Sequence, residues 1–124
     1  MSVTKNRFHK TVCVDFDGVI HSYTSGWQGV DKIPDKPVPG AIEWLNEFGQ
    51  NEDYRLVIYS ARSKEDIGIE AMKGWLESNG CLTSYLDFAS EKPAAWLTID
   101  DRSIQFRGTF PSDLEMSNFK PWNR

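Results

Sequence analysis

The chain lacks the features that would place it in a membrane or outside the cell, and its acidic balance disfavours tight, non-specific binding to a polynucleotide. None of its apolar runs approaches the length of a membrane span, and the basic N-terminus leads into a strand pattern without the apolar core of a signal peptide. Its net charge is -4, so no overall positive field draws it to nucleic acid. We therefore expect a cytoplasmic protein with no membrane partner.

Cysteine is scarce, and repeats, low-complexity tracts and linkers are absent. The two cysteines, Cys13 and Cys81, form no Cys-x-x-Cys pair, so we expect both to be reduced and structural. With 124 residues, 40% of them hydrophobic and 26% charged, the chain is predicted to form one globular domain over residues 1–124. Residues 1–10 are polar and are expected to form a loose tail.

The most informative stretch is an apolar run that ends in two carboxylates. Residues 12–14 are typical of a strand buried on both faces, and Asp15 and Asp17 follow where open α/β sheets bind ligands. Two acids at that edge repel each other unless a cation lies between them, and Mg²⁺ accepts carboxylate, phosphate and water oxygens. An isolated Asp-x-Asp pair is, however, more often a solvated turn or a helix cap.

Two further apolar runs also end in polar groups. Residues 56–59 precede Ser60-Ala61-Arg62, and residues 96–99 precede Asp100-Asp101-Arg102, with Lys92 shortly before them. Strands that alternate with helices predict a mainly parallel sheet with right-handed crossovers and helices on both faces. The predicted fold is therefore a single Rossmann-like, three-layer α/β/α domain in which these strand ends meet.

The remaining elements follow from apolar spacing and from Gly, Pro and capping residues. Predicted helices cover residues 40–49, 63–79 and, more briefly, 111–119, with a Ser63 to Asp66 capping box at the second. Residues 85–88 form a weak third strand, 89–95 a loop or short helical turn, and 104–108 an edge strand. Trp122 is expected to pack on the core.

Residues 21–39 are rich in Gly, Pro, Asp and Ser and contain several aromatic and apolar side chains. We interpret this segment as a hairpin-like flap beside the site. Trp27 either stacks on a substrate ring or packs on the body of the protein, and the two interpretations carry equal weight. For His21, substrate contact and a hydrogen-bonded turn are likewise equally weighted.

Together these residues resemble the four motifs of the haloacid dehalogenase (HAD) superfamily of phosphotransferases. The resemblance covers about residues 12–102 and rests on an ordered set: Asp15-Phe16-Asp17-Gly18-Val19, Ser60, Lys92 and Asp100-Asp101. The Ser60-Ala61-Arg62 and Asp100-Asp101-Arg102 stretches also look like those of the phosphatase domain of polynucleotide kinases. The HAD resemblance implies a Mg²⁺-dependent phosphomonoesterase.

The resemblance also implies catalytic roles. Asp15 would be the nucleophile that forms an aspartyl-phosphate, and Asp17 would protonate the leaving oxygen and then deprotonate water. Ser60 would donate a hydrogen bond to a phosphoryl oxygen, and Lys92 would neutralise phosphate charge and hold Asp15. Without the other motifs, we would interpret Lys92 as a surface lysine with no catalytic role.

Metal and substrate contacts are implied in the same way. Mg²⁺ would bind the carboxylate of Asp15, the backbone carbonyl of Asp17 and the carboxylate of Asp101, with Asp100 in an outer or alternate position. Five residues are expected at the substrate: Gly18, His21, Trp27, Ala61 and Arg62.

No interval between the motifs is long enough for the cap domain that usually determines specificity in this superfamily. The chain therefore resembles a capless member with an open site, which suits a nucleotide, a nucleic-acid phosphate end or another phosphorylated small molecule. Alternatively, a homodimer supplies the missing lid. A catalytically silent HAD-like binding module and a CheY-like receiver are the competing interpretations, although a receiver places its acidic pair and its single phosphorylated aspartate on different strands.

Overall fold

A computed structural model describes residues 9–123. Residues 1–8, which form most of the predicted tail, lie outside the described residues. Within that range the chain forms an α/β structure around a four-stranded parallel sheet with the order β3-β2-β1-β4. The strands are β1 (Lys10–Val14), β2 (Tyr54–Ile58), β3 (Asp87–Phe88) and β4 (Leu97–Ile99). The prediction of an α/β fold with a parallel sheet is confirmed.

The register of the sheet brings the polar strand ends together. Val14 pairs with Ile58 on one side and with Ile99 on the other. The backbone N–H of Asp15 then donates to the carbonyl of Ile99 over 3.0 Å. Because the strands are parallel and in step, the residues that follow each of them emerge at the same edge of the sheet.

Three α-helices occur among the described residues: α1 (Ala41–Gly49), α2 (Asp66–Ser78) and α3 (Asp113–Ser117). Short 3₁₀ helices cover Ala61–Lys64 and Thr83–Tyr85. The connections β1-α1-β2 and β2-α2-β3 step in the same direction across the sheet, so right-handed crossovers put both helices on one face.

The hydrophobic core lies between that face and the two helices. It joins alternate strand residues to the apolar stripes of the helices, and its members include Val12, Val14, Leu56, Ile58, Ile42, Leu45, Met72 and Leu76. Cys13 and Val57 are equally buried but lie outside this cluster, because successive strand residues point to opposite faces. The connection that leads back to β4, residues 89–96, is irregular where a second helical layer would form.

Several local predictions differ from the structure. Residues 104–108 form no strand, and Trp122 is 64% exposed instead of packing on the core. The capping box at the start of the second helical region belongs to the 3₁₀ helix: it joins Ser60 and Ser63, while α2 has no side-chain cap. No helix within residues 9–123 is long and apolar enough to cross a membrane.

Candidate active site

The three connections that follow β1, β2 and β4 surround a cavity of about 210 Å³. It is lined by most of the residues that the sequence motifs singled out, together with two aromatic residues of the flap: Asp15, Asp17, Tyr23, Trp27, Ser60, Ala61, Asp101 and Arg102. The parallel register explains why motifs up to 86 residues apart in the chain, Asp15 and Asp101, meet in one place.

Three carboxylates form a cluster that could hold a metal ion. Asp15, Asp100 and Asp101 each contribute an oxygen that lies within 4.8 Å of the others. Asp100 is the most exposed of the three, and its Oδ1 also accepts the backbone N–H of Arg102 over 2.8 Å. An all-oxygen, carboxylate-rich set matches the ligands that Mg²⁺ prefers.

The electrostatics of the cluster favour a cation. Burial raises the pKa of Asp15 to about 8, and the hydrogen bond to Asp101 and the negative charges of Asp100 and Asp101 act in the same direction. The backbone N–H of Phe16, which donates to Asp15 Oδ1 over 2.9 Å, partly opposes the shift. A bound divalent cation would offset the repulsion and allow Asp15 to ionise at neutral pH.

Gly18 lets Asp101 approach the turn after β1. Its φ of +86° lies in the left-handed region, and a Cβ at this position would collide with the carboxylate of Asp101. Glycine is therefore required here both for the backbone conformation and for the contact. Gly18 also accepts a hydrogen bond at its carbonyl, from Nε1 of Trp122 over 2.7 Å.

Asp17 lines the same cavity but is not a member of the carboxylate cluster, and two buried donors hold its side chain. Nε of Arg62 lies 3.0 Å from Oδ2 and 3.3 Å from Oδ1, and Nδ1 of His21 lies 2.9 Å from Oδ1. The predicted metal contact of Asp17 was through its backbone carbonyl, and its side chain is outside the metal cluster. Charge-assisted contacts of this kind fix the orientation of the carboxylate.

Arg62 is fully buried, which corrects the expectation that it lies at the substrate. Its Nη1 donates to the flap carbonyls of Gly29 (2.9 Å) and Val30 (2.8 Å), and its guanidinium stacks under the Trp27 ring at 4.7 Å. Nη2 is buried without a hydrogen-bond partner among the described residues. A buried guanidinium costs free energy unless it is paired, and here Asp17 and the flap carbonyls provide the partners. Arg62 therefore links the flap to Asp17.

Trp27 packs on the body of the protein, which is one of the two interpretations made from the sequence, and stacking on a substrate ring stays a prediction. One side of its ring packs on Arg62, yet 52% of the residue remains exposed and it lines the cavity. It therefore covers the Arg62 guanidinium and still presents apolar surface at the mouth of the site.

His21 does not line the cavity, and the structure places it in the hydrogen-bonded turn that was the alternative to substrate contact. The ring is 0% exposed. Its Nε2 accepts the backbone N–H of Asp35 over 3.0 Å, so Nδ1 carries the proton that is donated to Asp17. The indole of Trp75 packs edge-on against the ring.

Ser60 begins the 3₁₀ helix that follows β2 and is nearly buried. Its Oγ accepts the backbone N–H of Arg62 over 3.2 Å, and its own N–H donates to Oγ of Ser63 over 3.1 Å. This reciprocal cap holds the Ser60 hydroxyl at the cavity and leaves its O–H hydrogen available to a ligand.

Lys92 is exposed in the irregular connection before β4 and does not line the cavity. Its charge is nevertheless felt by Cys13: burial raises the pKa of that thiol, and Lys92 partly opposes the shift. Lys92 makes no hydrogen bond or ion pair with Asp15 among the described residues, and it is not among the groups that shift the pKa of Asp15.

Sequence reasoning missed residues that support the site from a distance. The carbonyl of Asp35 accepts the indole N–H of Trp75 over 3.3 Å, and a Cβ at Gly68 would collide with the carbonyl of Arg62. A glycine in the first turn of a helix was the available signal, because glycine there is unfavourable unless another group packs closely.

No family model, curated protein or solved structure matches the chain. The functional argument therefore depends on the geometry of this site.

Proposed function

We propose that the protein is a Mg²⁺-dependent phosphomonoesterase of the HAD type, in which Asp15 is the nucleophile. The observation that carries the proposal is the convergence of Asp15, Asp100 and Asp101 with Ser60 and Asp17 around one open cavity. The four-stranded order with β1 next to β4 and the absence of a long insertion support the HAD-type, capless interpretation.

Asp15 starts the reaction. Its carboxylate oxygen attacks the phosphorus of the bound ester, forming an Asp15–phosphate bond while the bond from phosphorus to the leaving oxygen breaks. The metal, when bound, supplies positive charge that keeps Asp15 ionised and offsets the charge of the phosphoryl oxygens. Asp15, Asp101 and the backbone carbonyl of Asp17 would hold it, with Asp100 beside them.

Asp17 moves the protons. It gives a proton to the leaving alkoxide, and in the second half-reaction it takes one from the water that attacks the phosphorus, releasing phosphate and regenerating Asp15. Arg62 and His21 hold the Asp17 carboxylate in one orientation for both steps. Oδ2 accepts one hydrogen bond among the described residues, so it keeps a lone pair for this exchange.

Ser60 and Lys92 would neutralise and orient the phosphoryl group. Ser60 lines the cavity, and its hydroxyl donates to no acceptor within residues 9–123, which supports a hydrogen bond to a phosphoryl oxygen. Lys92 has no direct contact with Asp15 in the described residues, so the proposed role requires its flexible side chain to turn towards a bound phosphate.

The cavity, at about 210 Å³, is smaller than the roughly 300–1,000 Å³ of a pocket that encloses a whole ligand, and Trp27, which lines it, is 52% exposed. We therefore propose a substrate whose phosphate projects from a larger body, such as a nucleotide or a phosphorylated nucleic-acid end. The exposed Trp27 ring offers a stacking surface for a base. The net charge of -4 favours a short or end-bound ligand over a long polyanion.

The test is phosphate release with and without Mg²⁺ from p-nitrophenyl phosphate, mononucleotides, sugar phosphates and oligonucleotides phosphorylated at either end. Wild type is compared with Asp15→Asn and with Asp53→Asn, an exposed aspartate just before β2, at the opposite edge of the sheet. We expect release that requires Mg²⁺, persists in Asp53→Asn and falls by at least about a thousandfold in Asp15→Asn, since removal of a nucleophile leaves only residual catalysis.

The competing function is a catalytically silent binding module, favoured by one observation: Asp17 is already engaged by two buried donors. Mg²⁺ binding without release from any ester in the panel, by folded protein, would contradict the phosphatase proposal and support that alternative. Activity retained by Asp15→Asn would contradict the assigned nucleophile.

A further inference from the structure

The segment after β4 exposes an unusual number of large apolar side chains. Phe110 is 87% exposed, and five neighbours in the segment are at least 38% exposed. We call this set the C-terminal patch; it consists of Ile104, Phe106, Phe110, Leu114, Met116 and Phe119. Large apolar side chains exposed together, unlike those scattered singly, mark interaction surfaces.

Five members of the patch share two adjoining hollows, and the sixth, Leu114, lies in α3 two residues before Met116. The rings of Phe106 and Phe110 lie 5.1 Å apart, and both line one shallow hollow with Ile104. Ile104 also lines a second hollow with Met116 and Phe119. The two hollows of about 210 and 280 Å³ therefore belong to one surface, which no described part of the chain covers.

The patch is about the size of one half of a stable interface. Taking about 150–250 Å² for each fully exposed aromatic residue and somewhat less for the aliphatic ones, the exposed fractions correspond to roughly 700 Å². The largest apolar patch on a typical monomer covers about 300–600 Å². One partner in a standard protein interface contributes about 800 Å².

The charges around the patch favour a second copy of the same chain as the occupant. Residues 102–119 contain two cations, Arg102 and Arg107, and two anions, Asp113 and Glu115, although the whole chain has a net charge of -4. A patch of one sign would repel its own copy across a two-fold axis, whereas a balanced rim can pair with itself. A membrane or nucleic-acid surface would instead require an excess of cations.

We propose that the C-terminal patch is the interface of a two-fold symmetric homodimer. Arg102 lines both the candidate active site and the hollow formed by Ile104, Met116 and Phe119. A second copy seated on the patch therefore borders the mouth of the active site and narrows its access. This inference does not depend on the proposed phosphatase activity.

The test is sedimentation velocity of the full chain over a concentration series, with Phe110→Asp and Leu114→Asp as interface variants. Leu82→Asp is the matched control, because Leu82 is an exposed leucine outside the patch. Both interface positions are exposed in the single chain, so circular dichroism should show unchanged folding. We expect a wild-type dimer, and an increase of about tenfold or more in its dissociation constant in each interface variant but not in Leu82→Asp.

A wild-type chain that remains monomeric throughout the series would overturn the proposal. So would a dimer that all three variants retain equally, because its interface would then lie elsewhere. Since the readout is molecular mass, either result is distinguishable from a failure of the phosphatase assay.

Discussion

At the scale of single residues, Arg62 is a fully buried charge whose contacts join several parts of the site. Its guanidinium joins Asp17 to the carbonyls of Gly29 and Val30 and lies beneath Trp27. Arg55 offers a contrast, since its ion pair with Asp87 is short, at 2.7 Å, but both side chains are substantially exposed. The strength of such pairs depends on burial more than on distance.

We therefore expect Arg62→Met to lower the free energy of unfolding by about 3–5 kcal/mol, because it leaves the largely buried Asp17 carboxylate without its cation. Arg55→Met should lower it by no more than about 1 kcal/mol. Urea unfolding of both variants gives the comparison. Equal losses would mean that the buried pair contributes no more than an exposed one.

Gly18 and Gly26 form a second matched pair. Both have positive φ values, +86° and +74°, but only at Gly18 would a Cβ meet another group, the carboxylate of Asp101. Each alanine variant should lose about 1 kcal/mol of stability through backbone strain. Only Gly18→Ala should also weaken Mg²⁺ binding, by about tenfold or more, because Asp101 must move. Isothermal titration of both variants measures this, and an equal affinity for Mg²⁺ would remove Asp101 from the ligand set.

The predictability of individual residues from sequence depended on what surrounds them. Asp15, Ser60 and Asp101 follow directly from strand ends, where the sheet dictates position. The burial of Arg62 did not follow, because an arginine is exposed by default and its acceptors at Gly29 and Val30 are more than 30 residues away in the chain. The hydrogen bonds of His21 could not be predicted either, since its tautomer is set by the backbone N–H of Asp35, 14 residues later.

At the scale of elements, the helices could be predicted from local sequence patterns, because apolar spacing and terminal residues largely determine where a helix forms. The apolar stripes of α1 and α2 correspond to helices in the structure, and the short helix predicted over residues 111–119 corresponds to α3. The alternation of Ile104 and Phe106 suggested a strand, but a strand also requires a partner. In the described residues this alternation instead forms part of the exposed C-terminal patch.

The C-terminal segment is pinned near its end by Trp122, whose indole N–H donates to Gly18, and by Asn123, which donates to the carbonyl of Ser22. We expect Trp122→Phe to replace the indole with a smaller aromatic ring, lose the hydrogen bond and destabilise this attachment by about 1 kcal/mol. Limited proteolysis should then cleave the C-terminal segment several-fold faster. Trp96→Phe is the control, because Trp96 is 67% exposed and has no indole hydrogen bond among the described residues. Equal cleavage of the two variants would contradict the anchoring role.

At the scale of the whole molecule, topology was predictable because alternating strands and helices leave few alternatives to a parallel sheet. The 89–96 connection carries no periodic signal, and it is irregular in the structure, as the predicted loop or short helical turn over residues 89–95 allowed. It leaves Lys92 exposed and reduces the coverage of the second sheet face. The register of the sheet therefore brings the residues of the candidate site together, and the loops after the strands line its cavity.

Metal binding should link the stability of the whole molecule to pH. Burial beside Asp100 and Asp101 raises the pKa of Asp15 to about 8, above the unfolded value near 4. In the metal-free protein this group favours folding fully below pH ~4, and its contribution is lost as pH rises towards 8. Mg²⁺ requires the ionised carboxylate, so its affinity should rise with pH up to about 8 and then level off.

Thermal unfolding with and without Mg²⁺ across this pH range measures the effect. At a hundredfold excess over the dissociation constant, Mg²⁺ should add about 2.7 kcal/mol of stability. We expect the increase in the midpoint, at a fixed Mg²⁺ concentration, to be larger at pH 8 than at pH 6. Asp101→Asn should show a much smaller increase, whereas a pH-independent increase in wild type would argue against Asp15 as a ligand.

The central claim, that Asp15 carries the phosphoryl group, is tested most directly by acid-quenching the protein during turnover of its best substrate and locating phosphate on the chain by mass spectrometry. The account predicts a hydroxylamine-sensitive phosphoryl group on the peptide that contains Asp15, absent without Mg²⁺ and absent in Asp15→Asn. Mg²⁺-dependent phosphate release that continues undiminished in Asp15→Asn, with no phosphate on that peptide, would contradict it.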